Sequence, residues 1–180
     1  LYPHDACKFR SRGQCYDQKQ QYDMAIADYS KAIELNPQEA WNFLWRGRCY
    51  HQKQQYDLAI ADYSKAIELN PQEALNFHWR GRCYYQKKQY DLAIADLSKA
   101  IELNPQEALN FHWRGGSYYE KQQYDLAIAD LSKAIELNPQ EAGNFNWRGR
   151  SYYEKPQYKL AKANVGKASE LNPQGTGNYH

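Results

Sequence analysis

The sequence contains no apolar run near the roughly 18 residues that a helix needs to cross a bilayer, and no signal-like segment opens it. A membrane-spanning role is not expected. It also lacks an excess of either charge: 23 basic and 21 acidic residues leave a net charge of +2. That argues against a general polyanion binder but leaves room for a locally basic groove. Cysteine is scarce, and Cys7, Cys15, Cys49 and Cys83 show no CxxC spacing, so neither a metal site nor a disulfide framework is expected. Cys15, Cys49 and Cys83 recur at one position where later sequence carries Ser117 and Ser151, and read as small buried thiols in a reducing, cytoplasmic setting. No Gly-rich phosphate loop, nucleophile motif or metal-ligand spacing appears, so no catalytic residue, cofactor or metal is assigned.

What is present is aromatic and periodic. Mean hydropathy is −0.98, too polar for one thick core, yet 17 Tyr and 5 Trp are too many for a disordered chain. Six of the seven prolines (Pro3, Pro37, Pro71, Pro105, Pro139 and Pro173) lie 34 residues apart, and the text between them nearly repeats. Five copies follow, at about 6–39, 40–73, 74–107, 108–141 and 142–174, with 175–180 as a tail. Taking Ala40 as place 1 and Glu73 as place 34, each copy reads as two helices.

Asn36-Pro37-Gln38-Glu39 supplies an Asn N-cap, a Pro at the first helical position and a capping-box Glu, so helix A is expected from Pro37 to about Lys53. Phe43, Gly47 and Tyr50 form its packing stripe. Helix B carries Ala59, Ile60, Tyr63, Ala66 and Ile67 on one face, and Asn70, held out of the α region by Pro71, ends it. A single hairpin cannot cover both stripes, so neighbours must stack. Arg at place 7 (Arg12, Arg46, Arg80, Arg114, Arg148) needs a counter-charge on the packing side, and Asp at place 23 (Asp28, Asp62, Asp96, Asp130) is the expected partner.

Gly47, Tyr50, Tyr56, Ala59, Tyr63, Ala66 and Pro71 together resemble the signature of the tetratricopeptide repeat, over about residues 5 to 174. The resemblance implies an all-α solenoid, a right-handed superhelix of helix-turn-helix hairpins whose A helices line a concave, peptide-binding side. Place 15, often Gly in that family, is Gln or Lys here and Pro156 in the last copy, changes that a turn is expected to accept.

Differences among the copies concentrate at places 2, 5, 9, 12 and 13, one stripe of helix A. Place 2 holds Cys7, Trp41, Leu75, Leu109 and Gly143, and place 5 holds Arg10, Leu44, His78, His112 and Asn146. Place 9 holds Gln14, Arg48, Arg82, Gly116 and Arg150, and place 12 holds Asp17, His51, Tyr85, Tyr119 and Tyr153. Place 13 runs from Gln18, Gln52 and Gln86 to Glu120 and Glu154. Accumulated Arg, Tyr, Trp and His favour a binding surface over neutral variation. Trp45, Trp79, Trp113 and Trp147 at place 6 read as filler between successive A helices or as anchors for a ligand, with filler favoured.

The expected function is a protein-interaction scaffold, not an enzyme, whose peptide or protein partner carries acidic and apolar side chains. The chaperone-tail carboxylate clamp of some family members does not fit, because place 6 is Trp or Ser11 and place 2 is never basic. Single-stranded RNA binding by the Arg and aromatic side chains is the alternative, opposed by Glu120 and Glu154. Self-association through open ends is another. Leu1 to Ala6 aligns with Leu35 to Ala40, which leads one to expect more repeat upstream; the last copy, with Lys162, Val165 and Ser169 on its outer face and Gly175 after it, reads as a water-facing cap.

Overall fold

The computed structural model describes residues 3–173, all in helices and short turns. The tail 175–180 and the alignment at Leu1 and Tyr2 lie outside the described residues. Two compact units divide the chain, Leu1–Gln89 and Tyr90–His180. The first holds α1 (Pro3–Gln18), α2 (Tyr22–Leu35), α3 (Ala40–Gln52), α4 (Tyr56–Leu69) and α5 (Ala74–Gln86). The second holds α6 (Tyr90–Leu103), α7 (Ala108–Glu120), α8 (Tyr124–Leu137), α9 (Ala142–Glu154) and α10 (Tyr158–Leu171). No strand occurs among the described residues, and the all-α hairpin class is as the sequence implies.

Helix A begins later than its capping pattern suggests, at Ala40 and Ala74 rather than at the proline. Asn70 serves the preceding helix instead: its N–H donates to Ala66 O at 2.9 Å, and its Oδ1 accepts from Gln72 N at 3.3 Å, closing a local turn. Glu73, extended at φ −88° and ψ 103°, is the N-cap, and its Oε1 accepts from Leu75 N at 3.3 Å. Glu107 and Glu141 cap α7 and α9 the same way. Glu39 makes no such bond and faces Arg10 at 3.6 Å.

The turn between A and B accepts the residues at place 15, at a conformational cost. Place 15 is left-handed in every copy, with φ of 58° at Gln20, Gln54 and Lys88 and 60° at Gln122, a region where a Cβ is crowded. Pro156 is forced to φ 29°, against a ring that prefers about −65°. It also lacks the N–H that Gln54 donates to His51 O at 2.9 Å.

Close approach of the two helices explains the glycine at place 8. A Cβ on Gly47 would stand 2.8 Å from the Tyr63 ring, and one on Gly115 would stand 2.9 Å from Leu131 Cγ. Cys49 packs with Ala25 and Tyr29, and Cys83 with Leu44, Ala59 and Tyr63. Burial pushes both thiols up to about 12. Cys15, expected to be buried like them, is exposed in this structure.

The expected ion pairs form as two-pronged contacts. Arg12, Arg46 and Arg114 each hold the carboxylate sixteen residues later through Nε and Nη2, at 2.7 to 2.8 Å. The sequence pattern did not disclose a third partner, Ser at place 25 of the preceding copy: Arg46 Nη1 donates to Ser30 Oγ at 3.0 Å and Arg80 Nη1 to Ser64 Oγ at 2.9 Å. In the second unit Arg114 reaches Ser98 and Arg148 reaches Ser132, each at 3.0 Å. A further tie joins Lys at place 14 to Asp at place 18 of the hairpin before, as in Lys53 with Asp23 and Lys155 with Asp125. Arg therefore stitches within and between hairpins, the role small polar residues make possible where a thick apolar core is absent.

Candidate functional site

In the first unit the variable stripe divides by depth. Leu44, only 1% exposed, belongs to the core with Ala59 and Tyr63. His78 is also buried, and Leu75 packs partly against the same cluster. His51, buried with no hydrogen-bond partner on either ring nitrogen, lies edge-on to Tyr56 at 5.5 Å and to Trp79 at 5.4 Å. Burial, reinforced by the positive charges of Arg82, His78 and Arg48, lowers it to about 4, so the ring is neutral at physiological pH. Leu44 and His51 thus lie beneath the surface, against Leu75 and Trp79 of the next A helix.

What remains open on α3 and α5 is basic and aromatic. Arg48 lies 4.5 Å from the Trp45 ring centroid and 5.5 Å from Trp79, and Arg82 lies 4.4 Å from Trp79. Two cations therefore flank one indole. Trp41, 39% exposed, stacks on Trp45 at 6.4 Å. Both Trp45 and Trp79 pack against core clusters, the filler placement, while still supporting the guanidinium groups above them. Tyr85 and Gln14 are half-buried, and Arg10 is engaged by Glu39.

In the second unit His112 Nδ1 lies 2.7 Å from Asn144 Oδ1, and His112 meets Trp113 edge-on at 5.2 Å. The fully buried Asn at place 3 is the same in four copies and so lies outside the variable stripe. Leu109 is 46% exposed, and Asn146 is half-buried. Arg150 stands 4.8 Å from the Trp147 ring and 5.1 Å from Tyr119, while Tyr153 is 62% exposed at the edge of the unit. Among the described residues no helix is long and apolar enough to cross a membrane, and no three His, Cys, Asp or Glu side chains gather as metal ligands.

The tetratricopeptide repeat profile matches residues 9–39, 43–73 and 77–107, and a second profile, described as a TPR repeat, matches 115–156. No curated protein matches the sequence. Among solved structures, MamA residues 41 to the end from Desulfovibrio magneticus RS-1 superposes with a TM-score of 0.88 at 20% identity, covering 96% of this chain and 97% of that one. A crystal structure of MamA gives 0.84 at 25% identity, over 89% and 94% of the two chains. YrrB, described as a TPR protein with an unusual peptide-binding site, gives 0.81 at 24% identity, over 95% and 88%. With the signature residues, the hairpins and these matches in agreement, the chain belongs to the tetratricopeptide repeat family.

Proposed function

We propose that this chain is a protein-interaction scaffold that binds a peptide or partner-protein segment along the open face of its A helices, through acidic and apolar side chains of the partner. Membership in a family of protein-binding repeats supports the scaffold role, and no step of chemistry is required of it. The observation that carries the finer reading is the pairing of Arg48 and Arg82 over Trp79. Arg48 makes no ion pair among the described residues and its side chain is only half-buried, so a carboxylate meeting the outer edge of the guanidinium gains charge-assisted hydrogen bonds. The indoles of Trp41 and Trp45 beside it offer apolar contact. Arg150 with Tyr119 and Trp147 repeats the combination in the second unit.

The test is quantitative recovery of partners from the source cell with the native chain and with the Arg48→Glu, Arg82→Glu variant. Loss of a discrete set of partners from the variant supports the groove; recovery of the same set places binding elsewhere. The stacked Arg and Trp side chains also favour single-stranded RNA as a second reading. Steeply salt-dependent binding of an oligoribonucleotide supports that reading, and no binding at low salt ends it.

A further inference from the structure

The edge formed by α9 and α10 carries a groove of about 740 Å3 lined by Gly149, Tyr153, Tyr158, Ala161 and Val165, with Arg150 and Lys162 at its margin. Tyr153, Tyr158 and Val165 are 62%, 59% and 48% exposed, an apolar margin on the copy expected to face water. The same unit shows what such a surface holds. On α7 and α8 the corresponding pair, Tyr119 and Tyr124, stands 5.6 Å apart, and Trp147 of α9 completes it edge-on at 5.1 Å from Tyr119. Eight residues after Trp147, Lys155 pairs with Asp125 of α8, and Arg148 donates to Ser132 at 3.0 Å.

On the α9–α10 edge the aromatic half of that receptor is kept and the polar half is inverted. Tyr153 and Tyr158 stand 5.4 Å apart with no third ring on them among the described residues. Lys159 occupies the place of Asp125, Lys162 that of Ile128, and Gly166 that of Ser132; a Cβ at Gly166 would meet nothing within 4 Å. The neighbouring Glu154 acts on Tyr124 of the preceding hairpin, not on the groove. An A helix like those of this chain is therefore the wrong occupant. Each has Lys at place 14 (Lys19, Lys53, Lys87, Lys121, Lys155), which would meet Lys159, so end-to-end stacking of two copies brings like charges together.

We infer that this edge docks an amphipathic helix of a partner protein, one bearing an aromatic side chain and, eight residues after it, a carboxylate. The aromatic ring completes the Tyr153–Tyr158 pair, as Trp147 completes the pair before it, and the carboxylate meets Lys159. The surface shares Arg150 and Tyr153 with the A-helix stripe but turns on Tyr158 and Lys159 of α10, so its failure leaves the reading built on Arg48 and Arg82 standing.

Two labelled peptides spanning residues 140–155 test it, one with the native sequence and one with Lys155→Glu, their binding to the whole chain followed by fluorescence anisotropy. The Lys155→Glu peptide is expected to bind about fivefold tighter than the native one, from exchanging a like-charge contact for an exposed ion pair. On a Lys159→Asp chain the order reverses, and on a Tyr153→Ala chain both peptides weaken. Both changed side chains are exposed, and circular dichroism checks that the variants fold. Absence of binding by the Lys155→Glu peptide, or an order unchanged by Lys159→Asp, overturns the inference.

Discussion

Arg46 Nη1 donates to the Ser30 hydroxyl at 3.0 Å, across the boundary between one hairpin and the next, while Nε and Nη2 of the same guanidinium hold Asp62. One side chain thus joins three helices, α2, α3 and α4. Removing Ser30 Oγ by Ser30→Ala leaves a part-buried donor unmade and is expected to cost about 1 kcal/mol. Arg46→Ala strands Asp62, whose side chain is 7% exposed, and is expected to cost roughly 3–5 kcal/mol. Urea unfolding of the two variants checks the order; equal losses would show that Asp62 is not the residue at stake.

Place 15 is the cheapest site to improve. Gln54→Gly relieves a left-handed residue at φ 58° and is expected to stabilise by about 0.5–1 kcal/mol, after the larger chain entropy of glycine is subtracted. Pro156→Gly relieves a worse conflict and restores an N–H to the turn, so its gain exceeds that of Gln54→Gly. Thermal unfolding of both variants measures this, and an unchanged midpoint for Pro156→Gly would contradict it.

His51 makes stability depend on pH with a fixed sign. Its folded value, about 4, lies below its ordinary value near 6.5, so the unfolded chain binds more protons between those limits. Its contribution is complete above about pH 6.5 and is lost as pH falls toward 4, by at most about 3 kcal/mol. His51→Tyr, which installs the residue of Tyr85 and Tyr119, removes that dependence. Denaturant midpoints at pH 7 and pH 4.5 for the two chains check it; an identical drop in both would assign the loss to other groups.

Thiol accessibility divides the cysteines in pairs. Cys49 and Cys83, buried and pushed up to about 12, resist alkylation in the native chain, whereas exposed Cys7 and Cys15 react. Mass spectrometry after a brief iodoacetamide pulse is expected to find two labels, and four after unfolding in guanidinium. Rapid native labelling of Cys83 would contradict its place in the core.

Much of the fold was legible because its repetition exposes it. The 34-residue period, Gly47 against Tyr63, the end of helix B at Asn70 and the Arg46–Asp62 pair all follow from residue type and spacing. The helix A start was not, since Asn36 and Asn70 fit a cap at either the end of one helix or the start of the next, and the Glu three residues on fits a capping box as well as the cap itself. The site was legible only in part. Helical spacing places Leu44, Arg48 and His51 on one stripe, but does not tell how much of that stripe the adjacent A helix covers. Leu44 and His51 fall under that cover; Arg48, with a longer side chain, reaches past it over Trp45. Ser30 and Asn144 escaped because their places hold one residue type in four of the five copies and so lie outside the variable stripe.

The most direct test of the central claim is selection of a random peptide library displayed on phage against the native chain and against Arg48→Glu, Arg82→Glu. Peptides enriched in Asp or Glu beside aromatic or aliphatic residues, retained by the native chain and lost with the variant, are the predicted result. Enrichment of the same peptides on both chains, or of sequences without acidic residues, would contradict a basic and aromatic binding face on α3 and α5.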